Sequence, residues 1–228
     1  MESKIKLIIL LIISLFISCN KKIDENPPIN DVTQLLDLSK YKLSANIIND
    51  SIQEYNGTND NFLIKGKYNR KQNHKIGWWT IYNKVNHEKY LMVEIFVENN
   101  MERNNQILFY QNNKIDYTRS KLYTVDILYK NDKLHKAAYN FYMPKSYFRT
   151  KNVDLIYEII TYKENSNPQK LSLNIKNNNH HYCEIDLSNY NQDQNILIGG
   201  LFSEYSYNDK SQEMGINEIF INDTIKIK

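Results

Sequence analysis

Glycine and proline are sparse in this chain, six and four residues in 228, and alanine is rarer still. A collagen-like or a Pro/Gly-rich low-complexity protein is thereby excluded. Only two cysteines occur, Cys19 and Cys183, too few for a disulfide framework. Basic residues outnumber acidic ones by 29 to 26, a net charge of +3, which lacks the concentrated basic excess of a nucleic-acid binder. No apolar run reaches the ~20 residues that a membrane-spanning helix needs. Catalytic signatures are missing too: neither a Gly-x-Ser-x-Gly elbow nor a His-Glu-x-x-His pair is present.

The N-terminus is the most informative stretch. Lys4 and Lys6 precede the uncharged apolar run Leu7–Ile17, then come Ser18 and Cys19. A short positive segment followed by a run too short to span a bilayer is the pattern of an export signal. The stretch Leu15-Phe16-Ile17-Ser18-Cys19 resembles the lipobox that ends bacterial lipoprotein signal peptides. Phe16 stands where the stricter form has leucine, and the relaxed form is of the Bacteroidota type. The resemblance implies cleavage before Cys19, a diacylglyceryl thioether on its sulfur and an acyl chain such as palmitate on the freed amine. Several acyl chains, at ~0.8 kcal/mol per buried methylene, anchor a protein stably to a membrane. Residues 1–18 are therefore expected to be a signal peptide. With Cys19 lipidated, Cys183 has no intramolecular partner. The expected address is the cell envelope, lipid-anchored at the outer membrane, with either leaflet open.

Residues 19–30 run through Lys21, Lys22, Asp24 and Glu25 to Pro27-Pro28, a polar tether that cannot build a core. The segment that follows admits two readings. Asp31 could cap a helix carrying Leu35, Leu36 and Leu38. Ile47, Ile48, Ile52 and Tyr55 could form a second helical face ended by Asn56-Gly57, or Ser51–Tyr55 could be a strand.

From Phe62 onward strand signals dominate, since runs of β-branched and aromatic residues alternate with Asn/Lys/Asp clusters. The predicted strands are Phe62–Ile64, Gly77–Tyr82, Tyr90–Val97 and Gln106–Tyr110, with a hairpin turn at Asn112-Asn113. Within this region Lys75-Ile76-Gly77-Trp78-Trp79-Thr80-Ile81-Tyr82 resembles the Lys-x-Gly-x-Trp-x-x-Tyr core of MORN-type repeats, found in antitoxin-component-like proteins. The resemblance covers about residues 62–125. It implies a tight turn at Gly77, and Trp79 and Tyr82 packed between successive β-hairpins. It implies architecture and no chemistry.

Residues 121–228 are expected to form a second β unit. Its strands are read as Leu122–Tyr129, Ala137–Tyr142, Val153–Tyr162, Lys170–Ile175, His181–Leu187, Ile196–Phe202, Ile216–Ile221 and Thr224–Ile227, the last two joined by a turn at Asn222-Asp223. So many short strands at this spacing favour a sandwich, immunoglobulin-like or transthyretin-like. The expected fold is thus mainly β with little helix: an antiparallel hairpin or meander region over 31–120, then a β-sandwich-like region over 121–228.

Candidate chemistry is thin. On a strand, His181 and Cys183 share a face while His180 points away, making His181 and Cys183 the weak candidates for a metal site. A zinc site needs three or four ligands, and His74, His87 and His135 are scattered, so no metal and no cofactor is expected. Glu204, Glu213 and Glu218 lie near the C-terminal strands, where paired acids could serve glycoside hydrolysis. Gly199-Gly200 falls inside an apolar run, which suggests a bulge or bend rather than a phosphate loop. Eighteen tyrosines and two tryptophans are many for this length. Strand alternation puts Trp78 and Trp79 on opposite faces, one packed and the other free to stack on a sugar ring or a partner protein. The expected function is that of a lipid-anchored envelope protein with a binding or structural β surface, its partner a protein or a glycan and not nucleic acid. The alternative is an envelope hydrolase acting on glycan or peptide.

Overall fold

The computed structural model describes residues 30–144, 149–161, 166–174, 179–190, 195–208 and 211–226. Cys19, the signal peptide, and the predicted strand ends Tyr162, Ile175 and Ile227 lie outside the described residues. The chain divides into two units, Met1–Asp37 and Leu38–Lys228. In the first, one short helix, α1 (Asn30–Leu35), places Asp31 inside its first turn rather than at its cap. Everything else described here belongs to the second unit.

That unit opens with a 3-10 turn, Leu38–Lys40, and continues as an antiparallel meander. Its strands are β1 (Lys42–Ile47), β2 (Ile52–Thr58), β3 (Phe62–Asn69), β4 (His74–Asn83), β5 (Lys89–Glu98), β6 (Met101–Gln111) and β7 (Lys114–Ile115), hydrogen-bonded in chain order. Ile47, Ile52 and Tyr55 are thus extended, not helical. Asn49 fixes the first hairpin by accepting from Ser51 N and Ile52 N at 2.9 Å each. Gly57 lies inside β2 rather than ending a helix; a Cβ there would meet Leu43 and Ile64 side chains at 2.7 and 2.8 Å.

Asparagine supplies the turns that glycine would otherwise make. Asn99-Asn100 between β5 and β6 and Asn112-Asn113 between β6 and β7 all have φ between 50° and 62°. Two-residue hairpin turns demand positive φ at both positions, and asparagine tolerates that region better than other non-glycine residues. Gly77, at φ 62°, sits within β4 and not in a tight turn. It falls where the β3–β4 register shifts between Lys65 and Lys67, so its left-handed backbone serves a bulge.

The remaining strands are β8 (Leu122–Lys130), β9 (Lys133–Tyr142), β10 (Arg149–Ile160), β11 (Gln169–Ser172), β12 (His180–Asp186), β13 (Ile196–Tyr207) and β14 (Met214–Ile225). They form two antiparallel sheets, β12-β9-β8 and β11-β10-β13-β14. Tyr139 and Phe141 of β9, Leu155 of β10, Ile185 of β12, Phe202 of β13 and Ile219 of β14 lie in the core that the two sheets share, with Phe141 stacked on Phe202 at 4.1 Å. Another two-residue turn with positive φ, Asn131-Asp132, joins β8 to β9.

Two expectations fail in this region. Asn222-Asp223 is no turn; both lie within the unbroken strand β14. The pair reads as a turn only because it is polar, whereas Asp223 is held inside by two tyrosine hydroxyls. Gly199-Gly200 makes no bulge, since β10 and β13 stay in register there and shift only between Thr150 and Asn152. Gly200 is required for close approach: a Cβ would sit 2.8 Å from the Ile156 carbonyl.

The meander meets the sandwich at a bulge in β6. Val93 pairs with Ile107 and Ile95 with Asn104, so Asn105 and Gln106 together oppose Glu94. Both donate to Glu94 Oε2, at 2.8 and 2.9 Å. Asn105 then grips the free edge of β14: its Nδ2 donates to Phe220 O at 3.0 Å and its Oδ1 accepts from Phe220 N at 2.7 Å. Gln106 Oε1 accepts from Tyr123 N at the start of β8. Lys121 Nζ donates to Asn104 O at 2.8 Å and Glu218 O at 3.1 Å, tying β6 to β14 a second time. Burial lowers the pKa of that ammonium to about 8.

Asn105→Leu strands Phe220 N–H and Phe220 C=O and leaves Glu94 with Gln106 alone of its two amide donors, and a buried polar group left unpaired costs roughly 1–3 kcal/mol. The variant is expected to lose about 3 kcal/mol of unfolding free energy in urea. Asn105→Asp, which keeps the acceptor but opposes Glu94 with a second carboxylate, is expected to lose at least as much. Unfolding curves that match wild type for both variants would contradict the joint described here.

Candidate functional site

The two adjacent tryptophans part as strand alternation requires. Trp79 is fully buried and lies flat over Gly66 of β3, where a Cβ would fall 2.1 Å from the indole ring. Trp78 is on the opposite face of β4 and 39% exposed. Its cross-strand partner is Glu94, and two residues further along β5 Phe96 shares that face. Phe96 stacks at 4.6 Å on Phe220 of β14, with the rings 12° from parallel. The tryptophan-bearing face of the meander therefore joins the outward face of β11-β10-β13-β14 at this aromatic pair.

Beyond that pair the outward face is unusual. On a half-buried strand polar residues normally face water, yet the C-terminal half of β13 inverts the pattern. Glu204 and Ser206 are buried, whereas Tyr205 is exposed and Tyr207 half-buried. Tyr205 pairs with Ile216 and Tyr207 with Met214 across β14, and both β14 residues are largely exposed. Ile156 of β10 is also exposed, and its register partner is Leu201. Tyr205, Tyr207, Met214 and Ile216 make an apolar and aromatic surface on a rigid sheet, and the polar row of Asp154, Ser203 and Glu218 separates it from Ile156. Such patches on a protein surface mark binding sites more often than isolated exposed side chains do. Sequence reasoning named Trp78 and Trp79 together, without choosing which is exposed, and missed this second patch. Its signal was present in Ser203-Glu204-Tyr205-Ser206-Tyr207, which is legible only once Glu204 is known to face inward.

Glu204 faces inward because donors meet it there from both sheets, His181 of β12 from across the sandwich and Thr150 of β10 and Asn217 of β14 from its own sheet. His181 Nε2 lies 3.1 Å from Glu204 Oε1, Thr150 Oγ1 donates to the same oxygen at 3.1 Å, and Asn217 Nδ2 donates to Oε2 at 3.0 Å. Burial alone would raise this carboxyl, but the hydrogen bonds from His181, Asn217 and Thr150 outweigh it and hold it below the usual range. His181 and Cys183 do share the inward face of β12, and His180 points away, stacking on Tyr142 at 4.7 Å. Glu204 joins His181, but among the described residues no three His, Cys, Asp or Glu side chains are placed to hold a metal ion together. Burial pushes the Cys183 thiol up to about 12, which makes it a poor nucleophile.

A second inward carboxylate repeats the arrangement. Asp223 of β14 accepts from Tyr123 of β8 and Tyr139 of β9, each at 3.0 Å. Burial raises its pKa against the pull of these two bonds, and Glu94 adds to the rise. Burial and Asp223 in turn push both tyrosine hydroxyls far above their ordinary range. Asp223 takes both donors from the opposite sheet, whereas Glu204 takes His181 from the opposite sheet and Thr150 and Asn217 from its own. They are inter-sheet staples rather than a convergent acid pair in a cleft.

The two staples have opposite pH signatures. Glu204 has a folded pKa below its unfolded value, so its contribution is complete above about pH 4.5 and disappears as pH falls through the folded pKa. Asp223 has a raised folded pKa, so its protonation on acidification adds stability and partly offsets that loss. Glu204→Gln is expected to flatten the acid decline in unfolding midpoint, and Asp223→Asn to steepen it. Midpoints recorded across the acid range that shift in the same sense for both variants would contradict this assignment.

No protein-family model, curated protein or solved structure matches this chain, so its function has to be argued from the geometry.

Proposed function

We propose that this chain is a lipid-anchored envelope protein, held through Cys19 at the outer membrane, that binds a protein or glycan partner with its β surface. The inversion on β13 carries the reading. Glutamate and serine are drawn inside, where Glu204 joins the sheets, while tyrosine, isoleucine and methionine are left outside at the cost of exposed apolar area. A sheet gains from that pattern when something covers it. Tyrosine and tryptophan are the side chains that binding surfaces favour, because they bring large area at small entropic cost.

Other observations support the same reading. The buried acids and His181 are committed to joining the sheets, which leaves them unsuited to general acid–base work on a substrate. The N-terminal export pattern supports the envelope address, where surface-held β proteins act on macromolecular partners. The seven-stranded meander, with Trp79 packed on Gly66, supports the MORN-like reading of residues 62–125. In the sandwich, the first, second and fifth strands form one sheet and the rest form the other, an order that supports an immunoglobulin-like Greek key.

The test combines address and contact. A photo-crosslinking residue placed at Tyr205, Ile216 or Trp78 in intact cells is expected to yield a partner adduct, while the same residue at Lys133 yields none. Tyr205→Lys combined with Ile216→Lys is expected to remove binding without moving the urea midpoint. Cys19→Ala is expected to abolish incorporation of a palmitate analogue and release the chain from the membrane fraction. Adducts indistinguishable from the Lys133 control, or a Cys19→Ala chain still acylated, would refute the proposal.

A further inference from the structure

We propose that a cleft at the β1 corner of the meander takes the phosphate of an anionic phospholipid headgroup, setting this edge of the sheet on the bilayer that holds the anchor. The inference rests on the lipid-anchored reading above. The cleft has a volume of about 370 Å³ and is lined by Ser39, Lys40, Tyr41, Lys42, Thr58, Asn59, Asp60 and Lys84. Three stretches of chain bring its lysines together: the turn before β1, β1 itself, and the residue just after β4.

These cations are not neutralised from within. Among the described residues Lys40 and Lys42 form no ion pair, and Lys84 Nζ donates to the Asn59 carbonyl at 2.8 Å. Asp60 is the one carboxylate in the lining and forms no ion pair among the described residues. Three lysines therefore line a small concavity against one acid, a charge excess that an anion complements. Lysine is a flexible point charge suited to phosphate, and Thr58 lines the same wall.

The neighbouring surface points to a lipid as the source of that phosphate. β1 is the edge strand of its sheet and every one of its six residues is exposed. Leu43 follows Lys42 directly, and Ile47 and Ile48 continue the same edge at 69% and 52% exposure. An unpaired edge carrying exposed leucine and isoleucine invites aggregation in water. Apolar side chains flanked by lysine are instead suited to a membrane interface, where the stems bury and the charges meet headgroups.

The experiment places the lipidated full chain on phosphatidylcholine vesicles with and without phosphatidylglycerol. Acylation of individual lysines by a water-soluble reagent is followed by peptide mass spectrometry, with Lys133 as reference. Lys40, Lys42 and Lys84 are expected to react about five-fold more slowly on the anionic vesicles, and high salt should reverse the protection. Lys40→Gln, Lys42→Gln and Lys84→Gln together should leave Lys133 unchanged and remove the preference for anionic vesicles. Flotation with both vesicles but equal lysine reactivity would overturn the inference and leave the anchor standing. Equal protection by inorganic phosphate on neutral vesicles would assign the cleft to a soluble anion and overturn the headgroup. A chain that floats with neither vesicle contradicts the anchor itself, and the inference falls with it.

Discussion

One side-chain amide, that of Asn105, takes at Phe220 the place that a further strand beside β14 would occupy. β14 closes the four-stranded sheet, and an edge strand leaves a row of backbone groups unpaired. Asn105 presents a donor and an acceptor in the same geometry as a neighbouring peptide group and bonds both N–H and C=O of Phe220. It can do so because a bulge in β6 sets two consecutive residues against Glu94, turning both amides toward the joint. Lys121 extends the clamp to Glu218 O. The middle of an edge that could have paired with another chain is occupied from within at Glu218 and Phe220, and the meander is fixed to the sandwich by the same bonds.

With the sheets held there, the interior of the sandwich accommodates two carboxylates. Burying a charge is costly unless donors meet it, and the price is visible in the pKa values. Glu204, with three side chains around it, stays below the ordinary range, while Asp223, with two tyrosine hydroxyls and Glu94 nearby, rises above it. The inward demand for Glu204 sets the phase of β13. Because side chains alternate, a glutamate held inside forces Tyr205 and Tyr207 outward. The binding face and the internal staple are thus two consequences of one register, and a one-residue slip would exchange them.

Much of this architecture could be read from the residues, and the exceptions share a cause. Runs such as Tyr90–Val97 and Ala137–Tyr142 announced strands because β-branched and aromatic residues fit a pleated, half-buried surface. Trp78 and Trp79 separated as alternation demands, and His181 and Cys183 shared a face. Asn112-Asn113 was legible as a turn; Asn99-Asn100 and Asn131-Asp132 carry the same signal and take the same left-handed backbone. What misled was polarity without knowledge of a partner. Asn222-Asp223 resembled a turn until Tyr123 and Tyr139 were seen to reach Asp223 across the sandwich. Nothing local in Asn104-Asn105-Gln106 tells that these amides meet β14, because Phe220 is distant in sequence. The Tyr205 patch was hidden for the same reason, since its orientation depends on His181 and Thr150.

The joint between meander and sandwich depends on Asn105 pairing with the edge of β14 at Phe220. Native-state hydrogen exchange of the Phe220 amide tests this directly. Its N–H points away from β13, so protection has to come from the Asn105 side chain. Exchange as slow as that of the core amide of Ile219, and orders of magnitude slower than the outward amides of edge strand β1, is the predicted result. Exchange of Phe220 at the rate of those β1 amides would contradict the joint on which the rest of the structure depends.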